Sequence, residues 1–184
     1  MKSLRTTILS ICTGRTLKME MLTASPLTFL HLEFLRVHVQ ADFKATVKAN
    51  DFDFQGAYVG FSIKHGRSED ESSWFVGLGF RASNPESATV ICPYTIDIFA
   101  IGTFEVAQNY PLEKHEKLVY ENGAALVYGC IRDMVATITA RGAQGLMMLP
   151  TPTFMNQFDR YLEEKKSTTS KNPKKVKKVR SVKS

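Results

Sequence analysis

Apolar and polar residues alternate through most of residues 27–106, the period of two that marks strands with one buried face. Leu30, Leu32 and Phe34 share one parity, whereas Leu35, Val37 and Val39 take the other. A parity switch within one run predicts a bulge or bend. A second run covers residues 58–64. In the third, Trp74, Val76, Leu78 and Phe80 form one face, with Phe75, Gly77, Gly79 and Arg81 opposite. The stretch Ser83-Asn84-Pro85-Glu86-Ser87 has turn chemistry. Residues 89–106 form a fourth run, broken near Pro93, with Ile96, Ile98 and Phe104 apolar and Gly102 small. Four antiparallel strands follow. Between the first two, residues 40–57 read as a crossover loop with Phe43, Phe52 and Phe54.

The period then changes. Residues 109–117 are polar, contain Pro111 and read as a linker. From residue 123 to 141, Ala124, Val127, Tyr128, Ile131, Met134, Val135 and Ile138 recur at helical spacing. Gly142 is placed to stop that helix as a C′ residue. Thr151 is an N-cap candidate, and Pro152 suits a first helical position. Phe154, Met155, Phe158, Tyr161 and Leu162 then form one face. Strands first and helices last predict the α+β class.

Composition adds one correction to this picture. The 184 residues carry a net charge of +6, but the charge is unevenly placed. Residues 165–184 hold nine Lys or Arg and no acid, and residues 1–20 hold four against one Glu. The body at 21–164 keeps eleven basic and seventeen acidic residues. The chain therefore reads as a basic, disordered leader (1–20), an acidic domain (21–164) and a disordered Lys-rich tail (165–184). The apolar run at 7–12 is short and lacks a clear cleavage site, so a leader, or a start codon set upstream of Met19 or Met21, reads better than a signal peptide. No run is long enough to span a membrane. Cys12, Cys92 and Cys130 are too far apart for a metal site or a disulfide framework, which fits free thiols in the cytoplasm.

No set of residues carries catalysis. His31, His38, His65 and His115 have no partner at three or four residues, and structural roles are expected for each. No nucleotide-binding or hydrolase motif is present, so no cofactor is expected. Gly77-Leu78-Gly79 is close packing within a strand. Glu69-Asp70-Glu71 is a solvated turn. Asp97, inside an apolar strand, calls for an edge position or a salt bridge.

Three motifs in order resemble the SecB family of protein-export chaperones. Asp97-Ile98, Gly102 and Phe104 match its last strand. Arg132, Arg141 and Gly142 match its long helix. Phe154, Phe158, Tyr161 and Leu162 match the start of its second helix. The similarity is strong over 94–164 and vague before it. Gly129-Cys130 and Gln144-Gly145 replace the family's usual Pro-Tyr and Phe-Pro pairs, and the basic tail is atypical.

The resemblance implies a four-stranded antiparallel sheet with two C-terminal helices, assembled as a dimer of dimers through the long helix. It implies external apolar grooves for unfolded client segments. Phe154, Phe158 and Tyr161 would form a lid, Phe54 and Tyr58 a wall, and Trp74, Val127, Tyr128 and Ile131 a floor. Arg132, Val135, Ile138, Arg141 and Gly142 would serve structure or assembly. Plain core packing is the competing expectation for all of them. Three functions are open. One is a chaperone that holds the C-terminal extension of an antitoxin, with a link to phage defence. Another is general export through SecA, which the acidic body suits. The third is binding of nucleic acid or ribosomes through the tail.

Overall fold

The computed structural model describes residues 25–170 except 55, 56, 87 and 89, and only the backbone of 167–170. The leader and the tail from residue 171 lie outside the described residues.

Four strands form one antiparallel sheet: β1 (Leu27–Ala41), β2 (Tyr58–Arg67), β3 (Trp74–Ser83) and β4 (Tyr94–Val106). Their order is β1-β4-β3-β2, so the segment after β1 crosses from one edge to the other. This is the crossover expected at 40–57, with a short 3-10 turn at Ala49–Asp51. β4 starts directly after Pro93, which has no N–H for a ladder. The parity switch in β1 is real and occurs twice. Register shifts fall between Phe29 and His31 and between Phe34 and Arg36, so Leu30 and Leu35 are the bulged residues. Leu30 therefore does not share a face with Leu32 and Phe34. The parity packed on the core runs Phe29, Leu32, Phe34 and Val39, opposite Phe104, Gly102, Ala100 and Ile96; Val37 shares that side but stays exposed.

A helical rod covers one face of the sheet. It comprises α1 (His115–Leu118), a π-helical turn (Val119–Gly123) and α2 (Ala124–Thr139). The rod starts eight residues before the expected position, within the predicted linker. The π turn shifts the helical phase by inserting one residue. A strict 3.6 repeat counted back from Ala124 therefore reaches Tyr120 but misses the buried Val119. Val76, Leu78, Phe80, Ile96, Ile98 and Phe104 on the sheet meet Val119, Val127, Ile131 and Val135 on the rod, all essentially inaccessible to solvent. Burying each such side chain contributes roughly 1.5–3 kcal/mol.

Two glycines set the approach. A Cβ on Gly102 of β4 would lie 2.6 Å from Val127 Cγ2, and one on Gly123 would lie 2.9 Å from Val76 Cγ2. Neither neighbour is a free chain end, because both valines belong to the core.

The rod ends differently from the expectation. Gly142 is not in the left-handed region; among the described glycines only Gly145 is, at φ 84°. The Gly142 N–H bonds Thr139 O at 2.8 Å, and its missing side chain admits the Tyr94 hydroxyl. That hydroxyl donates to Gly145 O at 3.0 Å and accepts from the Gln144 N–H at 3.2 Å. Thus Gly142 is needed for closeness, not for backbone conformation. The second helix, α3 (Gln157–Ser170), also begins later than expected and runs past residue 164. Thr151 does not cap it. The Thr151 hydroxyl instead accepts from Arg132 Nη1 at 3.1 Å, and residues 154–156 form a turn with Asn156 at φ 63°.

Gly102→Ala should lower stability by about 1–3 kcal/mol through overpacking against Val127 and Phe104. Urea denaturation of the two proteins measures this. A loss below about 0.5 kcal/mol would show that the rod can shift freely on the sheet.

Candidate functional site

The candidate site is an aromatic groove along β2 rather than a polar centre. β2 is an edge strand, and Phe61, Ile63 and His65 project from it towards the rod side. After α2, the chain returns as an extended strap. Its burial alternates: Met147 and Leu149 are fully buried, whereas Leu146, Met148 and Pro150 are exposed. The Thr139 hydroxyl accepts the Met147 N–H at 2.9 Å, and Tyr128 donates its hydroxyl to Pro150 O at 2.5 Å. The strap delivers Phe154 and then α3 over the inner face of β2.

Two aromatic clusters result. In the first, Tyr128 stands 5.5 Å from Phe61 and 5.9 Å from Phe154, with Phe80 at 6.1 Å below. In the second, His65 lies edge-on to Tyr120, Tyr161 and Phe158 at 5.1, 5.4 and 6.2 Å. Tyr120 also stacks on Tyr161 at 5.4 Å. Offset and edge-on pairs of this kind each add about 0.5–1.5 kcal/mol beyond area burial. Polar contacts at the rim are few. His65 Nε2 meets Glu116 Oε1 at 2.8 Å, and Lys117 Nζ donates to Asp159 Oδ2 at 2.7 Å. That bond to Asp159 raises the ammonium pKa of Lys117. Burial raises the Tyr120 phenol, and pushes that of Tyr128 up to about 12.

The expected site residues divide accordingly. Tyr128 meets Phe154 in the first cluster and Phe158 meets Tyr161 in the second, and both Phe side chains are buried. Val127 and Ile131 do not form an open floor; they are completely buried between rod and sheet and belong to the core. Tyr58 is displaced from the proposed wall. It lies three residues from Phe61 on an unbulged strand, so it faces away from the helices and is 60% exposed. Phe54 packs edge-on to Phe52 at 5.2 Å, near the start of β2 and with φ 65°. Trp74 is half-buried at the opposite end of the sheet beneath the Arg67 guanidinium, 4.9 Å away. Of the residues expected to serve assembly, Val135 is core, Arg132 braces the strap, Ile138 is exposed on the rod, and Arg141 is exposed in the turn after it. Phe61, His65 and Tyr120 are groove residues that sequence reasoning did not select. Counting parity from Phe80 across the β2–β3 pair would have found Phe61 and His65.

The other polar residues have structural partners. Asp97 forms the expected salt bridge, doubly: Arg36 and Arg81 reach its two oxygens at 2.8 and 2.9 Å. Buried His115 bonds the Tyr110 carbonyl at 2.9 Å. Cys92 is buried and Cys130 half-buried, both as thiols that desolvation pushes up in pKa. Among the described residues, no three His, Cys, Asp or Glu side chains converge as metal ligands, and no helix is long and apolar enough to cross a membrane.

No protein-family model matches the chain, and no curated protein matches it. Solved structures do. The Rv1957 SecB-like chaperone of Mycobacterium tuberculosis, in complex with a ChAD peptide from the Rv1956 HigA1 antitoxin, is similar at 17% identity and a TM-score of 0.48. The match covers 69% of this chain and 91% of that one. A Streptococcus agalactiae protein of unknown function is similar at 13% identity and a TM-score of 0.41, over 67% of this chain and 96% of that one.

Tyr128 gives the groove a pH signature. Its phenol titrates near 10 when unfolded and near 12 when folded, so the folded state favours the neutral form. Its contribution is complete below pH 10 and is lost as pH rises towards 12. Tyr128→Phe should flatten that alkaline fall while costing about 1 kcal/mol at neutral pH through the lost bond to Pro150. Thermal denaturation from pH 8 to 12 tests both signs, and parallel profiles would contradict the assignment.

Proposed function

We propose that this chain is an ATP-independent holding chaperone, and that its client is an aggregation-prone extension of an antitoxin. One observation carries the reading: the chain covers an aromatic groove with its own Phe154, Phe158 and Tyr161, which are the side-chain types an unfolded client would offer. Removing the two Phe side chains from cover costs roughly 2–3 kcal/mol each, and an incoming aromatic segment restores the same burial. The exchange is therefore close to balanced before any client-specific contact is counted. Phe61, His65, Tyr120 and Tyr128 form the floor in this reading, the strap and α3 form the lid, and Phe54 marks the far wall. The resemblance of residues 94–164 to SecB supports the same class. Control of a toxin, and through it phage defence, is the biological setting proposed.

The export reading loses its main support. It rests on an acidic outer sheet face for SecA. On that face Asp97 is held between Arg36 and Arg81, and Lys64 stands opposite Gly77, so the acidic residues there are matched by basic ones.

Self-assembly has its own supporting surface. Leu126 and Ile138 are exposed on the rod, with Cys130 and Met134 half-buried between them. Small residues, Ala125 and Gly129, leave room beside them, and nothing lies within 4 Å of the Gly129 Cβ position. We place the interface of a dimer of dimers there.

Two measurements decide these points. Full-length protein should suppress light scattering by an aggregating antitoxin that carries an apolar C-terminal extension. Phe61→Asp should abolish this at least tenfold in concentration dependence, with its circular dichroism spectrum kept. A folded variant that holds clients equally well would refute the groove. In native mass spectrometry the parent chain, 20.7 kDa, should appear as four copies, and Leu126→Glu with Ile138→Glu should reduce the assembly to smaller species. A monomeric parent chain would refute the interface.

A further inference from the structure

The sheet face turned away from the helices has no cover among the described residues, yet it is not a plain polar face. Three aromatic residues stand on it, and each lies across a glycine. A Cβ on Gly66 would meet Phe75 Cζ at 2.5 Å; one on Gly77 would meet Phe99 Cζ at 3.0 Å; one on Gly60 would meet Tyr58 Cε1 at 3.5 Å. A ring laid over a glycine is supported from below and leaves its other surface to solvent. Tyr58 is 60% exposed and Phe75 39%. Phe99 also covers Gly79, its register partner.

The spacing is regular. Phe75 belongs to β3, Phe99 pairs with Gly79 four residues further on, and Tyr58 pairs with Ser83 four residues beyond that. Each step is about 13 Å along the strand direction at the usual rise. Basic groups lie among the rings. Arg36 pairs with Phe99, Arg81 neighbours Asp97, and Lys64 pairs with Gly77. Arg36 and Arg81 share Asp97, which leaves that triad one positive charge and free guanidinium N–H groups beside a depression of about 230 Å³ lined by Tyr58, Ser62 and Gly79.

We propose that this outer face binds single-stranded nucleic acid, with Tyr58, Phe75 and Phe99 as stacking surfaces for bases and Arg36, Arg81 and Lys64 meeting phosphates. Stacking needs a ring with a free face and tolerates any base, and an antiparallel sheet presents several such rings on one face. The face itself is close to neutral, since Glu33 and Glu105 stand at its β1 side and its far end. A duplex, whose bases are already stacked, gains little from it. The nine Lys and Arg of residues 165–184 add long-range attraction of the kind that depends steeply on salt. The tail lacks aromatic residues, and the sheet supplies them.

Fluorescence anisotropy of the full chain with a labelled single-stranded RNA of about 12 nucleotides, and with its duplex, tests the proposal. The single strand should bind more tightly than the duplex at moderate salt. Phe75→Leu with Phe99→Leu keeps apolar cover over the glycines and should weaken single-strand binding at least about tenfold, with an unchanged salt slope. Deleting residues 171–184 should reduce the salt slope and leave the preference for single strands. The denaturation midpoint of the double variant confirms that it folds. Equal affinity of the double variant and parent, equal binding of single strand and duplex, or complete loss on deleting the tail would each overturn the proposal. Any of these would leave the rings as cover for the glycines or as a protein-docking surface. Client holding through the groove is a separate readout, and it should not change in the double variant.

Discussion

The close packing of one helical rod on one face of a four-stranded sheet governs the rest of this structure. It works because Gly102 and Gly123 let Val127 and Val76 approach to the limit of contact. The rod then buries Val119, Val127, Ile131 and Val135 against the β3 and β4 residues, and the strongest burial in the molecule lies along that seam. Everything beyond the seam has less to hold it. β2 lies outside it at the sheet edge, and the rod does not reach far enough to cover Phe61 and His65. α3 covers His65, and the strap reaches Phe61 through Phe154 but leaves it 42% exposed, with side chains rather than backbone ladders. The strap and α3 thus lie on the weakly held side of a firmly held core.

Polar contacts follow the same division. At the core end, hydrogen bonds are backbone-directed and specific. The Tyr94 hydroxyl serves both Gly145 and Gln144, and the Thr139 hydroxyl links Val135 to Met147. At the lid end they are exposed ion pairs. Lys117–Asp159 is open to solvent, so it orients α3 but contributes little to its retention. α3 is therefore held chiefly by aromatic contact, whereas the strap before it is held by hydrogen bonds as well.

The strands were legible because a period of two is a local property. Trp74, Val76, Leu78 and Phe80 lie on one face in the sequence and in the fold alike. The bulges of β1 were legible as a parity change, although their positions at Leu30 and Leu35 depended on pairing with β4. The rod was only half legible, because its first turns lie in a polar, Pro-containing stretch and the π turn puts the buried Val119 out of phase with the repeat. The ends of both helices were misread for one reason. Gly142 and Thr151 are residue types with familiar local roles, but here each makes a distant contact, with Tyr94 and Arg132. The groove was legible on its lid side, where Phe154, Phe158 and Tyr161 are close in sequence. Its floor comes from β2 and the π turn, and only tertiary register places Phe61, His65 and Tyr120 under that lid.

Parity also separates two surfaces that sequence composition merges. Tyr58 and Phe61 are three residues apart, yet one faces solvent on the outer sheet and the other lines the groove. A strand with aromatic residues on both faces cannot be explained by a single core. The inner ring has the rod and lid as partners. The outer rings rest on glycines, which weaken a strand unless a neighbouring ring covers them. That cover accounts for the presence of aromatic side chains over Gly66, Gly77 and Gly79. It does not require that Phe75 and Tyr58 remain broadly exposed, or that Arg36, Arg81 and Lys64 stand among them. Those two features make the outer face a surface separate from the groove, on the opposite side of the same sheet.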